Sequence, residues 1–431
     1  MSLGLRGGAK LHGLLGLVTL YGAGKLRELV VQARAYATHH GLEAAFRSVR
    51  TRDGQQISFH PAAPDIVFSV SGGSVIMTAE TSAVGPGYHA FVVGLIDYLS
   101  RHHQWVWDFR SATQHFGDDT GYYRNRDFAA LRTAMAADFS ALSQSLVTAE
   151  AGGGVPWNVS LPMALNIASD HFAATSLGFR DRAFFEQPSP ERFFPWWDQG
   201  LTAQTLKNMA LCKMWLDILW HPPASAGERQ DVENCRILID RAMELGAEFA
   251  ADEGVEDIAA LLRDEPLDDA PGAGRIGYWR QTVWYLDPCG WSIALPAYYR
   301  EEGGSDGQLC SLLYGDRAVY MRSYDYETAV TQLAWPEPKT EGYSEYLRFE
   351  TDRYRVVIES GGGVDEDGIS WSVWQGTYNA LGGAARISVV SPDKADAAWA
   401  EKVLRSVQPF VSTDVSESPN LPSHRRTRPE G

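Results

Sequence analysis

The chain has 431 residues, 45% of them hydrophobic and 21% charged, with a formal net charge of −16. It is long enough for several domains and apolar enough to bury real cores. That acidity argues against a nucleic-acid binder, which needs clustered Lys and Arg against phosphate, and against an anionic membrane surface; a basic protein, a cation or a neutral ligand stays compatible.

In chain order, residues 11–24 have the apolar length of a signal-peptide core, with Arg6 and Lys10 ahead of them. The small-residue cleavage pattern is poor, however, and Lys25 leads straight into an amphipathic helix over 25–41, its face marked by Leu26, Leu29, Val30, Ala33 and Tyr36. Short strands follow around 44–50, 56–60, 65–70 and 74–79, the last two joined as a hairpin across Gly72-Gly73. A helix over 88–100 and a strand over 105–109 come next. The cleanest helix is 127–147, where Leu131, Met135, Phe139, Leu142 and Leu146 make one stripe. Residues 1–150 thus read as an α+β domain, ended by Gly152-Gly153-Gly154.

Residues 155–262 read as a helical domain. Helix 203–220 is apolar on nearly every side and stopped by His221-Pro222-Pro223; helix 232–250 carries the stripe Val232, Cys235, Ile239, Ala242, Leu245 and Phe249. An acidic, Gly- and Pro-bearing linker spans 263–275. From 276 to 411 aromatic and β-branched runs recur between turn signals such as "TDRY" and "GGGVDEDG", then a helix over 393–407. That pattern predicts an antiparallel sheet closed by a C-terminal helix. The tail 412–431 has few apolar residues and reads as disordered. The fold class expected is a multidomain α+β protein. No segment has the apolar length to span a bilayer.

Several familiar chemistries lack their motifs. "YGAGKL" at 21–26 has Thr19 where a phosphate loop needs glycine and Leu26 where it needs Ser or Thr for magnesium. Asp119-Thr120-Gly121 is similar to an aspartic-protease signature, but that chemistry needs two facing carboxylates and no second copy exists. There is no H-E-x-x-H. The adjacent pairs His39-His40 and His102-His103 point about a quarter-turn apart on a helix, so they suit helix C-terminal capping better than joint metal ligation. Of Cys212, Cys235, Cys289 and Cys310, none forms a C-x-x-C pair, and four cysteines in this length do not make a disulfide scaffold. A reducing, cytoplasmic setting follows, with no cofactor and no metal expected.

One stretch keeps chemical promise: "TAETSAVGPGYHAF" at 78–91. In the structural reading Pro86 fixes a turn, Gly87 takes an unusual dihedral and a helix starts at Tyr88. In the binding reading, Gly85, Gly87, Tyr88 and His89 offer helix N–H groups to an anion or carboxylate. The catalytic reading makes His89 a general acid or base, with Glu80, Ser82 or the Asp118/Asp119 loop as partner. A second candidate surface is the aromatic cluster "RFFPWWDQG" at 192–200, where Trp196 and Trp197 would serve as interface anchors or as a sugar-stacking surface, against the plainer reading of aromatic packing between helices and loop.

The C-terminal region resembles the Mog1/PsbP-like fold on three features: "WSIALP" near its start, the strand meander, and the closing "VLRSVQ" at 403–408. The resemblance covers about a third of the chain and implies a non-enzymatic binding or accessory module, some such modules being associated with bacterial secretion systems. The expectation is a cytoplasmic interaction protein with a basic protein partner, an immunity or accessory factor of a toxin or secretion system. The alternative is an enzyme of unrecognised type acting through His89, Glu80 and Asp119.

Overall fold

The computed structural model describes residues 4–10, 18–52, 54–71, 73–109, 117–149, 156–161, 167–169, 171–265, 267, 276–286, 290–303, 309–314, 316–326, 331–337, 341–364 and 368–409. The Gly152–Gly154 run, most of the 263–275 linker, Cys289 and the 412–431 tail lie outside these. The protein is a multidomain α+β chain that divides into two units, 1–163 with 169–280 and 164–168 with 281–431.

The first unit begins β1 (Gly4–Lys10), α1 (Val18–His39), β2 (Arg47–Arg50), β3 (Gly54–Ser58), β4 (Ile66–Ser71), β5 (Ser74–Glu80) and α2 (Pro86–His103). It continues β6 (Trp107–Asp108), β7 (Gly117–Asp118), α3 (Tyr122–Asn125) and α4 (Phe128–Thr148). The main sheet runs β2-β3-β4-β5-β1-β6, with β7 also on β1. Its register explains its faces. Leu5, Ala9, Ile57, Ile66, Phe68, Val75 and Met77 point inward and are buried, while Arg6, Val67 and Thr78 between them are exposed. The β4–β5 hairpin closes from Ser71↔Ser74, and Gly73 takes the positive φ of 75° that a two-residue turn needs. Over 105–109 only Trp107 and Asp108 are strand, because β1 offers just Ala9 and Gly8 as partners there. Helix α1 starts at Val18, well ahead of Lys25.

On α4, Asp127 caps the N-terminus by accepting from the Ala130 N–H, and Leu131, Met135, Phe139 and Leu146 are buried as the stripe requires. The chain then forms β8 (Trp157–Asn158), β9 (Ala173–Thr175) and β10 (Gly178–Arg180), a small sheet. After it come α5 (Arg182–Glu186), α6 (Pro190–Phe193), α7 (Ala203–Leu216), α8 (Ala226–Glu244) and α9 (Val255–Leu262). The stripe on α8 holds at Val232, Cys235, Ile239 and Ala242 but fails at Leu245, which is 56% exposed. Gly246 adopts φ 94° and ends the helix, so the period has no further turn to act on. The sequence divides this unit in two at about 150, whereas the pieces pack as one; the joint that fuses them is described below.

The second unit comprises β11 (Thr282–Leu286), β12 (Trp291–Pro296), β13 (Arg300–Gly303), β14 (Leu309–Tyr314), β15 (Arg317–Asp325), β16 (Ser344–Glu350), β17 (Tyr354–Val364), β18 (Ser370–Ala380), β19 (Gly383–Ser391), α10 (Ala397–Arg405) and β20 (Gln408–Pro409). Seven strands make an antiparallel sheet in the order β13-β14-β15-β19-β18-β17-β16, and β11-β12-β20 make a second. Helix α10 lies on β12, β18 and β19, as a closing C-terminal helix should. Val319, Met321, Val356, Ile358, Ile387 and Val389 alternate inward with Ala400, Val403 and Leu404 of the helix, each large aliphatic side chain contributing about 1.5–3 kcal/mol on burial. The Tyr378 hydroxyl donates to the Leu404 carbonyl at 2.6 Å and fixes the helix end to the sheet. "TDRY" is a turn closed by the Thr351 N–H on the Tyr354 carbonyl at 2.9 Å. The first three glycines of "GGGVDEDG", by contrast, continue β17.

Candidate functional site

The stretch from β5 into α2 packs against the aromatic cluster that follows α6, so the sequence's two candidate regions meet. The Val84 and Gly85 N–H groups both donate to the Thr81 carbonyl, turning the chain, and Pro86 is the first residue of α2. Gly85 takes φ 118° and ψ −178°, a conformation essentially confined to glycine. A Cβ there would lie 2.7 Å from the Trp196 carbonyl oxygen and 2.8 Å from the Phe194 Cβ. The unusual dihedral therefore belongs to Gly85; Gly87 is helical, and its requirement is space. A Cβ on Gly87 would enter the Trp196 indole and the Asp198 carbonyl. The two segments also exchange backbone hydrogen bonds: Gly87 N–H donates to the Trp196 carbonyl at 3.0 Å, and Trp196 N–H to the Val84 carbonyl at 2.9 Å.

Around that joint the aromatic side chains fill the interior. Trp196 is buried, its ring centroid 5.9 Å from Tyr88 and 5.2 Å from Phe91, and its indole N–H donates to the Gly200 carbonyl at 2.8 Å. Tyr88 is fully enclosed, and burial pushes its phenol well above the ordinary range. Trp197 stays half-buried; it stacks on Phe194 at 5.7 Å and takes the Arg132 guanidinium over its ring at 4.5 Å. Gly85, Gly87, Tyr88 and Trp196 are thus brought together as packed interior, with Trp197 at the margin.

His89, in the first turns of α2, is fully buried between two threonines. Its Nδ1 lies 2.8 Å from the Thr81 Oγ1 and its Nε2 3.1 Å from the Thr120 Oγ1. The Thr120 hydroxyl donates to the Asp118 Oδ1 at 2.8 Å, so towards His89 it can only accept. His89 therefore carries its proton on Nε2, and Nδ1 accepts from Thr81. Burial holds the imidazole down at about 4, against the pull of the Asp118 carboxylate 3.7 Å away. Asp118 also accepts from the backbone N–H of Thr120 at 3.0 Å and of Tyr123 at 2.6 Å, which shapes the loop before α3.

Of the partners considered for His89, the loop supplies Asp118, through Thr120. Asp119 instead accepts from the Gly4 N–H at 3.0 Å, securing the start of β1, and Glu80 is an exposed strand-end residue opposite Gly4. The Ser82 hydroxyl is buried with no hydrogen-bond partner among the described residues. Thr81 and Thr120 are the residues that sequence reasoning missed. Their one available signal is position: one lies in the turn before His89, the other beside the Asp118/Asp119 pair.

A second polar cluster has no motif at all. Lys213, buried on α7, reaches Asp231 of α8 at 2.8 Å and Asp217, the α7 C-cap, at 3.2 Å; Arg47 of β2 reaches Asp217 at 3.2 Å. Burial works against the Lys213 charge, but the two carboxylates more than offset it and hold the ammonium above its ordinary value. Nearby His60 is fully buried, its Nδ1 accepting from the Ala62 N–H at 3.1 Å, and burial lowers it to about 3. Cys212 and Cys235 are buried free thiols, and burial raises Cys235 to about 12. His102 Nδ1 lies 2.9 Å from the Tyr98 carbonyl in the last turn of α2, a local contact of its helix end. Among the described residues no group of His, Cys, Asp and Glu side chains is placed to hold a metal ion, and no helix is long and apolar enough to cross a membrane.

No family model matches the chain, and no curated protein does. A crystal structure of a protein from Bacteroides thetaiotaomicron VPI-5482 is similar over 30% of this chain and 49% of that one, at 12% identity and a TM-score of 0.24. The match spans about half the length of that protein, and at so low a score it carries no argument about fold or function.

Proposed function

We propose that the chain is a non-enzymatic interaction protein that binds a basic protein partner in the bacterial cytoplasm, as an immunity or accessory factor of a toxin or secretion system. The observation that carries this reading is the enclosure of His89. The one segment with catalytic promise has its histidine sealed between Thr81 and Thr120, with both ring nitrogens engaged and the charge disfavoured by burial. A general acid or base must reach a substrate proton, and this imidazole is committed to holding α2, the β5 turn and the Asp118 loop together. The net charge of −16 favours a cationic partner by electrostatic steering. The resemblance of the C-terminal sequence to the Mog1/PsbP-like fold supports the same reading.

Purification of the tagged full chain from its native host, followed by mass spectrometry of what accompanies it, tests the proposal. The expected result is one stoichiometric basic protein whose affinity falls steeply with added salt. Turnover in a broad activity screen, with no accompanying protein, would replace this reading with the enzymatic one.

A further inference from the structure

We propose that Arg180 and Arg192 hold a phosphate group, taken up either as the free ion or as the terminal group of a small ester. The site lies in the first unit and stands whether or not the chain binds a basic protein. Its residues belong to one short run: Arg180 ends β10, Phe184 lies on α5 and Arg192 on α6. Both guanidinium groups lie over the Phe184 ring, Arg180 at 5.2 Å and Arg192 at 5.8 Å from its centroid. One ring thus brings two like charges into the same neighbourhood.

The acids of this run are committed elsewhere. Asp181 caps α5 by accepting from the Phe184 N–H at 2.9 Å, Glu186 pairs with Arg182 at 3.1 Å, and Glu191 accepts from the Ser189 hydroxyl at 2.7 Å. Among the described residues no carboxylate forms an ion pair with Arg180 or Arg192. Arg180 is partly buried. Its Nη1 donates to the Phe179 carbonyl at 3.0 Å, but its Nε is enclosed with no hydrogen-bond partner among the described residues. Burial first, and then the neighbouring Arg192 charge, lower this guanidinium from its ordinary value. Arginine keeps its proton in a protein, so the cation persists against both burial and a like charge. In a chain with 54 acidic and 38 basic residues, a shortage of carboxylates does not account for that. An external oxyanion does. A phosphate monoester carries about −1.5 to −2 at neutral pH, enough for two guanidiniums, where a carboxylate supplies a single charge. Arg192 is exposed and makes no hydrogen bond among the described residues, so it can swing onto a group seated at Arg180.

Isothermal titration calorimetry of the full chain at fixed ionic strength, with inorganic phosphate, ribose 5-phosphate and acetate, tests the site. The expected result is saturable one-to-one binding of a phosphate probe, weakened about tenfold by Arg180→Gln and by Arg192→Gln. Arg182→Gln, whose side chain is already paired with Glu186, should bind as wild type. Arg192 is exposed, so Arg192→Gln decides the matter by itself if circular dichroism shows that Arg180→Gln does not fold. Tighter binding of ribose 5-phosphate than of phosphate upholds the site and assigns it to an ester; equal affinity upholds it for the free ion. Absence of binding by both up to about 10 mM overturns the proposal. So does wild-type affinity in Arg192→Gln, or acetate bound as tightly as phosphate.

Discussion

At the scale of single residues, the joint between α2 and the aromatic cluster is where small changes should matter most. Gly85→Ala introduces a side chain at φ 118° and against the Trp196 carbonyl; strain of that kind costs about 1–3 kcal/mol before any overlap is relieved. Gly87→Ala keeps a helical dihedral but drives its methyl into the Trp196 ring, an overpacking cost of about 1–3 kcal/mol. Urea denaturation of both variants should show lower midpoints, and a wild-type midpoint for either would contradict the packing described. His89 adds a pH dependence. Its folded value of about 4 lies below the ordinary 6.5, so between those values the unfolded chain binds more protons. Stability is full above about 6.5 and is lost as the pH falls towards 4, with His60, held at about 3, acting in the same direction. His89→Gln should flatten part of that acid slope in denaturation curves taken from pH 7 to pH 4; an unchanged slope would mean that the imidazole is not held neutral. Of this site, the sequence exposed the glycines, His89 and the tryptophans, because each is unusual where it stands. It hid Thr81 and Thr120, because a hydroxyl is as ordinary in a turn as anywhere, and only the folded chain shows which ring nitrogen it meets.

At the scale of elements, hydrophobic period was a good guide wherever one helix face meets one core. The α4 stripe of Leu131, Met135, Phe139 and Leu146 is the clearest case. It failed where the backbone stopped the helix first, as Gly246 does for Leu245. Ile239→Ala should cost about 2–5 kcal/mol and Leu245→Ala no more than about 0.5 kcal/mol. Thermal unfolding of the two variants distinguishes them, and equal losses would contradict the assigned end of α8. The Lys213 cluster was illegible for a different reason. Arg47, Lys213, Asp217 and Asp231 come from β2, α7, its cap and α8, and no spacing in the sequence relates them. Lys213 is buried and Asp217 nearly so, but Asp231 is 43% exposed and Arg47 still faces Asp217, so Lys213→Ala should destabilise by about 1–3 kcal/mol. Chemical denaturation tests this, and a change under about 1 kcal/mol would show that the cluster holds α7 to α8 only weakly.

At the scale of the whole molecule, the texture of the sequence changes from helical to β-rich near residue 276, and the two units divide at 280/281. The break read at about 150 instead falls inside one unit, where the Gly85–Gly87 turn and Trp196 share backbone hydrogen bonds. A glycine run signals a break in secondary structure and says nothing about whether the flanking segments later pack together. That joint also bears the central functional claim, that His89 is a structural residue in a protein that works by binding. The most direct test is His89→Ala, with thermal denaturation and partner binding by isothermal titration calorimetry measured on the same preparation. The expected result is a melting temperature lowered by several degrees, from about 1–3 kcal/mol of lost buried hydrogen bonding, with the affinity of the remaining folded protein equal to wild type. A variant that melts at the wild-type temperature yet has lost all binding, or a catalytic activity the wild type possesses, would contradict it.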